Sequence, residues 1–417
     1  MSARNSPPAA AAYDVVIVGG GMVGALLACA LGDSSLKVAV IERQRAAVPM
    51  LADYELRVSA LTLASRAMLD TLGAWPGIER RRYAEVSAMR VWDAQGAGEI
   101  HFDAAEIGER CLAYIVENSV IVAALHERLQ QYTNVHVLSG VEIADLAMAD
   151  VAQIHLADGR RVHARLLVAA DGADSDIRRR LAIDVRRLGM EQQAIVATVR
   201  TERPHEGVAH QAFLATGPLA FLPLPEAHSC SIVWSADSAH AESLLALDDT
   251  RFTAALQQAF GDGLGRVEAA SARLAFPLML AHAERYVVAR AALIGDAAHT
   301  VHPLAGQGVN LGLLDAAVLA EVVLDAAAER RDIGTVHVLR RYERWRKGDN
   351  LAMIAATGGF KYLFGNDGPL LNRLRGAGLL ATHALTPLKQ MIIRRASGLV
   401  GDLPRLARRQ FGDHAAR

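Results

Sequence analysis

The stretch Asp14-Val-Val-Ile-Val-Gly-Gly-Gly-Met-Val-Gly24 decides the fold. Its first five residues form an apolar run typical of a buried parallel strand, and a G-x-G-x-x-G sequence follows directly. Residues 22–31 then have the composition of a helix. In this pattern Gly19 permits a tight turn, Gly21 lets the backbone approach a pyrophosphate, and Gly24 lets helix and strand pack closely. The stretch therefore predicts a strand–turn–helix unit whose helix N-terminus attracts the phosphates of a dinucleotide.

A second apolar strand, Lys37-Val-Ala-Val-Ile41, ends in Glu42. This acid lies 18 residues after Gly24, where a carboxylate is expected to meet the ribose hydroxyls of the nucleotide. A bare 2′-phosphate is disfavoured there because two anions would repel each other. Arg43 follows, and it either stacks on the adenine or is a solvated surface arginine.

Composition narrows the class of protein. The chain has 417 residues, with 44 Lys and Arg against 45 Asp and Glu, so its charge does not suggest a nucleic-acid partner. Cys29, Cys111 and Cys230 are isolated, which favours reduced core thiols over a metal site. No uncharged run reaches the roughly 18 residues of a membrane span.

Two further motifs follow apolar strands. Asp171-Gly172 ends the run Leu166-Leu-Val-Ala-Ala170, and Gly295-Asp296 ends Ala292-Leu-Ile294. Ligands of open α/β sheets bind at this edge, although Asp-Gly is also a common turn pair. Asp296 is expected to hold a hydroxyl of a sugar chain.

A glycine-rich loop, Pro303–Asn310, follows the third motif and is called the flavin loop below. Gly306 and Gly308 allow backbone to lie close to a flat ring, and a helix beginning near Val309 points its N–H groups towards the ring's electron-rich edge. The three motifs together predict one long cofactor, FAD, held at its pyrophosphate, its sugar chain and its ring. The predicted contacts are Gly19, Gly21, Met22, Val23, Gly24, Glu42, Arg43, Arg57, Asp171, Gly172, Asp296, Pro303, Gly306, Gln307, Gly308, Val309 and Asn310.

This combination resembles the group A flavoprotein aromatic hydroxylases, which share the p-hydroxybenzoate-hydroxylase fold. The stretch Gly295-Asp-Ala-Ala-His-Thr-Val-His-Pro-Leu-Ala-Gly-Gln-Gly-Val-Asn-Leu-Gly-Leu-Leu-Asp315 is similar to the ubiquinone-biosynthesis FAD hydroxylases, the UbiH/UbiF/UbiI group. Leu56-Arg-Val-Ser-Ala-Leu61, Ile115-Val-Glu-Asn-Ser-Val-Ile121 and Leu339-Arg-Arg-Tyr-Glu-Arg-Trp-Arg346 agree with that group. The resemblance spans roughly residues 13–404.

The resemblance implies an α/β (α+β) fold. A Rossmann-like FAD domain is interrupted by an antiparallel-sheet substrate domain, and a helical tail follows. The expected FAD domain comprises 13–83, 105–190 and 285–350, the substrate sheet 84–104 and 191–284, and the basic C-terminal region 351–412.

The residue pattern itself predicts the elements of the inserted sheet. Four stretches are expected to be strands of an antiparallel sheet: 195–199, 211–214, 219–222 and 231–234. Pro223 and Pro225 confine one of these strands to an edge or to its end. Residues 114–131 and a stretch around 241–260 are expected to be helical.

The resemblance also implies a reaction. NAD(P)H reduces the flavin, dioxygen adds, and a flavin C4a-hydroperoxide hydroxylates a polyprenylated phenol. Three stretches are most similar to the UbiI branch of the family: Ala197-Thr-Val-Arg-Thr-Glu-Arg-Pro-His205, Cys230-Ser-Ile-Val-Trp-Ser235 and Gly401-Asp-Leu-Pro404. That branch hydroxylates C5 of 2-polyprenylphenol. Hydroxylation at C1 or C6 of the ring stays open as an alternative. The remaining alternatives are a polyprenyl reductase, a flavin-bearing subunit without turnover in a quinone-synthesis complex, and a simple NAD dehydrogenase.

Two residues are candidates for handling the phenol proton. His302 lies beside the flavin loop and either acts on that proton or braces the loop. Arg57 either contacts the cofactor or the phenolate, or forms a structural salt bridge. No metal site is expected. One departure concerns Asn118, which stands where many group A enzymes have an arginine that contacts FAD.

The polyprenyl chain of the expected substrate and the basic C-terminal region of the protein both suggest binding to a membrane surface. One face of the substrate sheet is expected to line an apolar tunnel. Residues 351–417 contain 10 Lys and Arg against 3 Asp and Glu, which is typical either of a basic amphipathic helix on anionic lipid or of a solvated subunit-contact helix. A cytoplasmic protein bound peripherally to the inner membrane face is expected, with other ubiquinone-biosynthesis proteins or a second copy as partners. The expected tunnel residues are Phe213, Leu214, Phe221, Leu222 and Trp234.

Overall fold

A computed structural model describes residues 11–44, 53–94, 98–301, 307–364, 382 and 385–408. Its strands are β1 (Ala11–Val18), β2 (Val38–Glu42), β3 (Val58–Thr62), β4 (Ala84–Val86), β5 (Ala88–Asp93), β6 (Glu99–Asp103), β7 (Ala113–Glu117), β8 (Val135–Ser139), β9 (Ile143–Met148), β10 (Ala152–Leu156), β11 (Arg161–Ala169), β12 (Val185–Thr201), β13 (Val208–Leu214), β14 (Gly217–Pro223), β15 (Ser229–Asp237), β16 (Val267–Ala270), β17 (Leu274–Ala283), β18 (Val287–Val288), β19 (Ala291–Leu293) and β20 (His299–Thr300). Its α-helices are α1 (Met22–Ala30), α2 (Leu63–Thr71), α3 (Trp75–Glu79), α4 (Asn118–Leu129), α5 (Asp176–Arg180), α6 (Ser238–Leu245), α7 (Asp249–Phe260), α8 (Gln307–Ala328), α9 (Val336–Phe364) and α10 (Thr386–Ala396), with 3₁₀ turns at Ala104–Ile107, Gly295–Ala297 and Arg405–Ala407.

The glycine-rich stretch lies at the centre of the first sheet. Its parallel strands are ordered β19-β11-β1-β2-β8, with β18 antiparallel at one edge and the β9–β10 hairpin beside β11. Val15, Val16 and Ile17 are fully buried because helices cover this sheet. The carboxyl ends of β1, β2, β11 and β19 therefore meet at one edge, where all three predicted motifs lie.

The second sheet is long and mostly antiparallel, in the order β20-β17-β12-β15-β14-β13-β5-β6. It confirms the strands predicted at 195–199, 211–214, 219–222 and 231–234. Pro223 is the last residue of β14, where its missing N–H is tolerated, as predicted. The division into domains stays a prediction, and its boundary near residue 190 falls inside β12.

Two sequence predictions of helices need correction. The helix expected over 114–131 begins only at Asn118, because residues 113–117 pair as β7 with β3 and β4 in a third sheet. The helical stretch expected over 241–260 is two helices, α6 and α7. Asp248 separates them by capping α7, since its carboxylate accepts a hydrogen bond from the Arg251 N–H at 2.8 Å.

Candidate functional site

Glycine is required at each motif position of the first turn for a different structural reason. Gly19 has φ of +104°, and a Cβ there would lie 2.3 Å from the carbonyl oxygen of Ala170. A Cβ on Gly24 would lie 1.9 Å from the carbonyl oxygen of Gly19. Gly21 differs, because a Cβ there would meet no protein atom within 4 Å. It is exposed at the N-terminus of α1, so the open space beside it fits a pyrophosphate held by the helix N–H groups.

Glu42 lies against this turn at the end of β2. One carboxylate oxygen accepts a hydrogen bond from the Gly20 N–H at 2.6 Å, and the other accepts one from the Gln44 N–H at 2.8 Å. Each oxygen retains a lone pair for a ribose hydroxyl. The predicted contact is therefore sterically and chemically consistent, while stacking by the exposed Arg43 stays a prediction.

Asp171 is engaged within the protein. Its carboxylate accepts hydrogen bonds from the Ser175 hydroxyl at 2.5 Å and from the Ile177 N–H at 3.1 Å, so it braces the start of α5. Gly172 has φ of +88°, and no atom lies within 4 Å of a Cβ placed there. The motif thus shapes a turn that touches Gly19 through Ala170. Direct contact of Asp171 and Gly172 with the cofactor stays a prediction.

The third motif places Asp296 after β19, at the carboxyl edge of the first sheet, and the space beside it is called the cleft below. Gly295 has φ of +58° and packs against Val23 of α1. Asp296 is reached by solvent, yet protein surrounds it closely. Desolvation by these surroundings raises the pKa of the Asp296 carboxyl, and the neighbouring His299 and Arg57 side chains act in the opposite direction. The structure thus brings Arg57 and Asp296, far apart in sequence, to one place.

The first turn of α8 is tied to β3 and α2. The Asn310 side-chain oxygen accepts hydrogen bonds from the Thr62 N–H at 2.9 Å and the Ser65 hydroxyl at 2.7 Å. Its amide donates to the Ala60 carbonyl at 2.8 Å. These bonds occupy the Asn310 side chain, so a cofactor contact here would use backbone groups.

Several predicted residues lie in or beside the flavin loop. His302, Pro303 and Gly306 fall outside the described residues, as does the side chain of Gln307. Gly308 and Val309 belong to the first turn of α8. Their predicted contacts with the ring stay predictions. Asn118 is held by protein, because its side-chain oxygen accepts a hydrogen bond from the Ser59 hydroxyl at 2.7 Å.

A buried ionic network beneath the third motif was missed by sequence reasoning. His299 Nε2 lies 2.5 Å from Asp315 Oδ2, and the Nε of Arg346 donates to Asp315 Oδ1 at 2.8 Å. The Gly295 N–H also donates to Asp315 at 3.1 Å. Burial would raise the pKa of Asp315, but His299 and Arg346 outweigh it and hold the pKa at about 2. The network therefore fixes the turn that presents Asp296.

One face of the second sheet approaches this cleft. The Arg57 guanidinium lies over the Phe276 ring, 5.6 Å from its centroid. Phe276 belongs to an apolar cluster with Leu278 and Leu280 on β17, and Ile354 of α9 packs against the same cluster. Phe276 carried no recognisable sequence signal, since its position opposite Arg57 depends on tertiary structure. The cluster forms an apolar wall beside Arg57 and Asp296.

The tunnel prediction is wrong for three of its five residues. Phe221 and Trp234 face α6 and α7 instead, and Phe221 stacks on Phe260 with ring centroids 3.8 Å apart. Leu214 packs against the same helix-backed core. The period-two pattern identified alternating faces but could not tell which face helices would cover. Phe213 and Leu222 lie outside that core, in clusters shared with β5 and with β3, β4 and β7.

Two further features concern the described part of the chain. No helix there is long and apolar enough to cross a membrane. No group of three or more His, Cys, Asp or Glu side chains there is arranged to hold a metal ion. The cysteines at 29, 111 and 230 are buried, as predicted for core thiols.

Comparison with known proteins gives consistent matches along the chain. Residues 12–351 match the protein family described as FAD binding domain. The ubiquinone hydroxylase UbiL of Rhodospirillum rubrum is 40% identical over 401 residues, covering 95% of this chain and 92% of the relative. The human mitochondrial ubiquinone biosynthesis monooxygenase COQ6 is 37% identical, with 92% of each chain covered. The 3-demethoxyubiquinol 3-hydroxylase of Escherichia coli is 36% identical, covering 93% of this chain and 98% of the relative.

Solved structures agree with the architecture. The crystal structure of PqsL, a probable FAD-dependent monooxygenase from Pseudomonas aeruginosa, superposes with a TM-score of 0.76 at 26% identity, covering 89% of this chain and all of that one. The p-nitrophenol 4-monooxygenase PnpA from Pseudomonas putida gives a TM-score of 0.78 at 20% identity, covering 94% of this chain and 99% of that one. The fold predicted from the sequence is thereby confirmed.

Proposed function

Because the chain belongs to the FAD-binding monooxygenase family that includes the ubiquinone-biosynthesis hydroxylases, we propose that it hydroxylates the ring of a polyprenylated phenol. FAD as cofactor and monooxygenase activity follow from the family. The single observation that supports the substrate class is the apolar wall at Phe276, Leu278 and Leu280, which lies beside Arg57 and Asp296. A polyprenylated phenol matches this arrangement, because its hydroxyl can lie at the cation and its apolar chain along the apolar wall.

The cofactor site is assembled from this chain's own groups. The Gly21 turn and the N–H groups of α1 hold the pyrophosphate, Glu42 holds a ribose hydroxyl, and Asp296 holds the sugar chain of the flavin. When bound there, FAD would supply the redox chemistry, with NAD(P)H as electron donor and dioxygen as the source of the inserted oxygen atom. The donor is proposed to bind transiently, since the sequence has no second G-x-G-x-x-G.

Arg57 positions and activates the phenol in this proposal. A free phenol has a pKa of about 10, so the more reactive phenolate is scarce at neutral pH. The Arg57 guanidinium is a permanent positive charge at the edge of the cleft and favours phenolate beside it. Phe276 under the guanidinium excludes water on one side, which strengthens that attraction. A role for His302 in moving the proton is proposed only as an addition to Arg57.

The ring position and the cellular setting belong to the same proposal. We take C5 of 2-polyprenylphenol as the target from the sequence resemblance. The E. coli relative, a 3-demethoxyubiquinol 3-hydroxylase, favours a different ring carbon as the second candidate.

The protein is proposed to act in the cytoplasm at the inner membrane face, with dioxygen as co-substrate and other ubiquinone-biosynthesis proteins or a second copy as partners.

Lipid analysis of a strain lacking this protein tests the proposal. Accumulation of a polyprenylphenol without the C5 oxygen, restored to quinone by the wild-type gene, is the expected result. Accumulation of a 3-demethoxyubiquinol-type precursor assigns the other ring carbon. A precursor with an unsaturated chain and a complete ring points to a reductase.

A second strain separates catalysis from assembly. It carries Gly21→Glu, which places a bulky anion in the pyrophosphate space while leaving the core untouched. Loss of quinone in this strain supports turnover at the flavin. Normal quinone in a strain whose purified protein is colourless would instead identify a subunit without catalysis.

A further inference from the structure

Helix α10 exposes an apolar stripe on its solvent-facing side. Its protein-facing side carries Lys389, which is 7% exposed and forms a 2.7 Å ion pair with Glu106. Its outer side carries Leu388, Met391 and Ile392, which are 37%, 58% and 37% exposed. The spacing i, i+3, i+4 places these three on one stripe. The protein-facing side also carries Ile393, which is 3% exposed, whereas Arg394 and Arg395 are exposed. The solvent-facing side of α10 therefore combines an apolar stripe with cations.

The exposed apolar residues are concentrated in this part of the molecule. Nine large apolar residues are exposed in the described chain, and five of them lie between 385 and 400. Leu385 lies three residues before Leu388 and extends the stripe at its start, and Val400 lies in the segment that follows the helix. Scattered exposed apolar residues are ordinary, but a contiguous set marks an interaction surface. The outer stripe is defined here as Leu385, Leu388, Met391 and Ile392.

The charge around the outer stripe selects its partner. Residues 385–408 contain five basic residues and one acidic residue, Asp402, a net charge of +4. Arg394 and Arg395 are in the last turn of α10, next to the stripe, and no Asp or Glu occurs from 385 to 400. Lys389 and Arg405 are ion-paired with Glu106 and Glu321, so the exposed Arg394 and Arg395 are the cations that follow the stripe in α10. An apolar stripe next to exposed arginines matches the interface of an anionic bilayer, where acyl chains lie below phosphate groups.

The helix is fixed to the part of the molecule that carries α2 and the start of α8. Gln390 and Arg394 donate to the carbonyl groups of Glu106 and Ile107 at 2.8 and 3.2 Å. After the helix, a Cβ on Gly398 would lie 2.8 Å from the Cβ of Ala64, at the start of α2. The neighbouring Thr62 is hydrogen-bonded to Asn310 at the start of α8. Docking through α10 therefore sets the orientation of the cofactor cleft relative to the docking surface.

We infer that the outer stripe of α10 inserts into the headgroup region of an anionic lipid membrane, with the helix parallel to the surface. The lipid contact stands on the exposed residues and the charge alone. Only its purpose, delivery of a membrane-dissolved phenol, rests on the proposed function.

Sedimentation of the full-length FAD-loaded protein with vesicles tests the inference. Wild type is expected to bind phosphatidylglycerol-containing vesicles more strongly than pure phosphatidylcholine vesicles, and less strongly as salt rises. The double variant Met391→Gln/Ile392→Gln is expected to lower partitioning by about tenfold or more, because two exposed apolar side chains no longer enter the lipid. Met148→Gln, an exposed methionine on β9, is the matched control and is expected to bind like wild type.

Each outcome decides the inference. Unchanged vesicle binding of the double variant overturns it, as does a wild type that binds neither kind of vesicle. A double variant that changes only the oligomeric mass in solution also overturns it, and identifies the stripe as a contact between copies. Flavin content and thermal unfolding of both variants confirm that they fold. Hydroxylation of a short-chain phenol in solution is measured in parallel, so that failure of the proposed function is seen separately from failure of lipid binding.

Discussion

Gly21 and Gly24 belong to one motif but are required for different reasons, and paired substitutions separate them. Gly21→Ala places its methyl in the open space at the N-terminus of α1, so the apoprotein is expected to keep its stability. FAD should bind at least tenfold more weakly, about 1.4 kcal/mol, because the methyl occupies the pyrophosphate position. Gly24→Ala drives its methyl into the Gly19 carbonyl and should destabilise the apoprotein by about 1–3 kcal/mol. FAD titration and urea unfolding measure both effects, and a normal FAD affinity in Gly21→Ala would refute the assignment.

Asp296 is the second residue whose role is testable directly. Asp296→Ala removes a solvent-accessible carboxylate from the cleft, so the fold should persist while flavin is lost on gel filtration. The absorbance ratio of flavin to protein is the measurement. Asp174→Ala, which removes a side chain that is 87% exposed, is the control and should retain full flavin content. Equal flavin content in the two variants would contradict the assignment of the sugar chain to Asp296.

Asp315 should govern stability rather than FAD contact. Its pKa of about 2 lies below the ordinary 3.8, so the carboxylate stabilises the fold above pH 4. That contribution, about 2 kcal/mol, is lost as the pH falls from 4 towards 2. Asp315→Asn leaves Arg346 without its buried counter-charge, with only the half-exposed Asp349 as an ionic partner, and should cost about 3–5 kcal/mol at pH 7.

The pH dependence of unfolding distinguishes this role. Asp315→Asn should unfold with a flatter profile between pH 2 and 4 than wild type, since the titrating group is gone. Asp349→Asn removes a half-exposed partner of the same Arg346 and should cost less than about 1 kcal/mol. An Asp315→Asn protein as stable as wild type at pH 7 would show that the network contributes little.

At the scale of elements, helices α1 and α8 approach closely through glycine. A Cβ on Gly312 of α8 would lie 2.7 Å from Val23 Cγ2 of α1 and 3.2 Å from the Gly295 Cα. Gly312→Ala should therefore destabilise by about 1–3 kcal/mol despite its better helix propensity. Gly348→Ala in α9 meets no atom within 4 Å and should stabilise by about 0.5–1 kcal/mol. Chemical denaturation of both is the measurement, and the prediction fails if both changes have the same sign.

At the scale of the whole molecule, the C-terminal segment closes back onto the nucleotide-binding part. Arg405 pairs with Glu321 of α8 at 3.1 Å, and the Trp345 indole donates to the Asp402 carbonyl at 2.8 Å. Ala407 is buried in the hydrophobic core around the first sheet, called the main core here. Deleting the chain from about residue 352 would remove these contacts as well as the outer stripe. Such a deletion cannot report on membrane binding alone, so point variants of the stripe are the appropriate test.

The burial of the C-terminal segment predicts that it contributes to the free energy of unfolding. Ala407→Asp buries a charge in the main core and should cost about 2–4 kcal/mol, with a fall in the thermal midpoint. Val400→Asp, at a position that is 49% exposed, should change stability by less than about 0.5 kcal/mol. Equal thermal midpoints for the two variants would mean that the C-terminal segment is not part of the cooperative fold.

The sequence by itself determined the nucleotide-binding unit, because strand period, glycine geometry and the acid at residue 42 are all local properties. The four strands predicted between 195 and 234 were likewise readable from alternation within short runs. The three motifs together indicated FAD, and family resemblance extended the prediction to the whole fold.

Only the tertiary structure decided which residues meet. Asp315, His299 and Arg346 form one network because β20, α8 and α9 converge, which no spacing in the sequence encodes. Helices α6 and α7 cover one face of the second sheet, so Phe221 became core and Phe276, next to Arg57, became the wall of the cleft. The physical reason is that alternation fixes which side chains share a face, whereas packing of distant elements decides which face is covered.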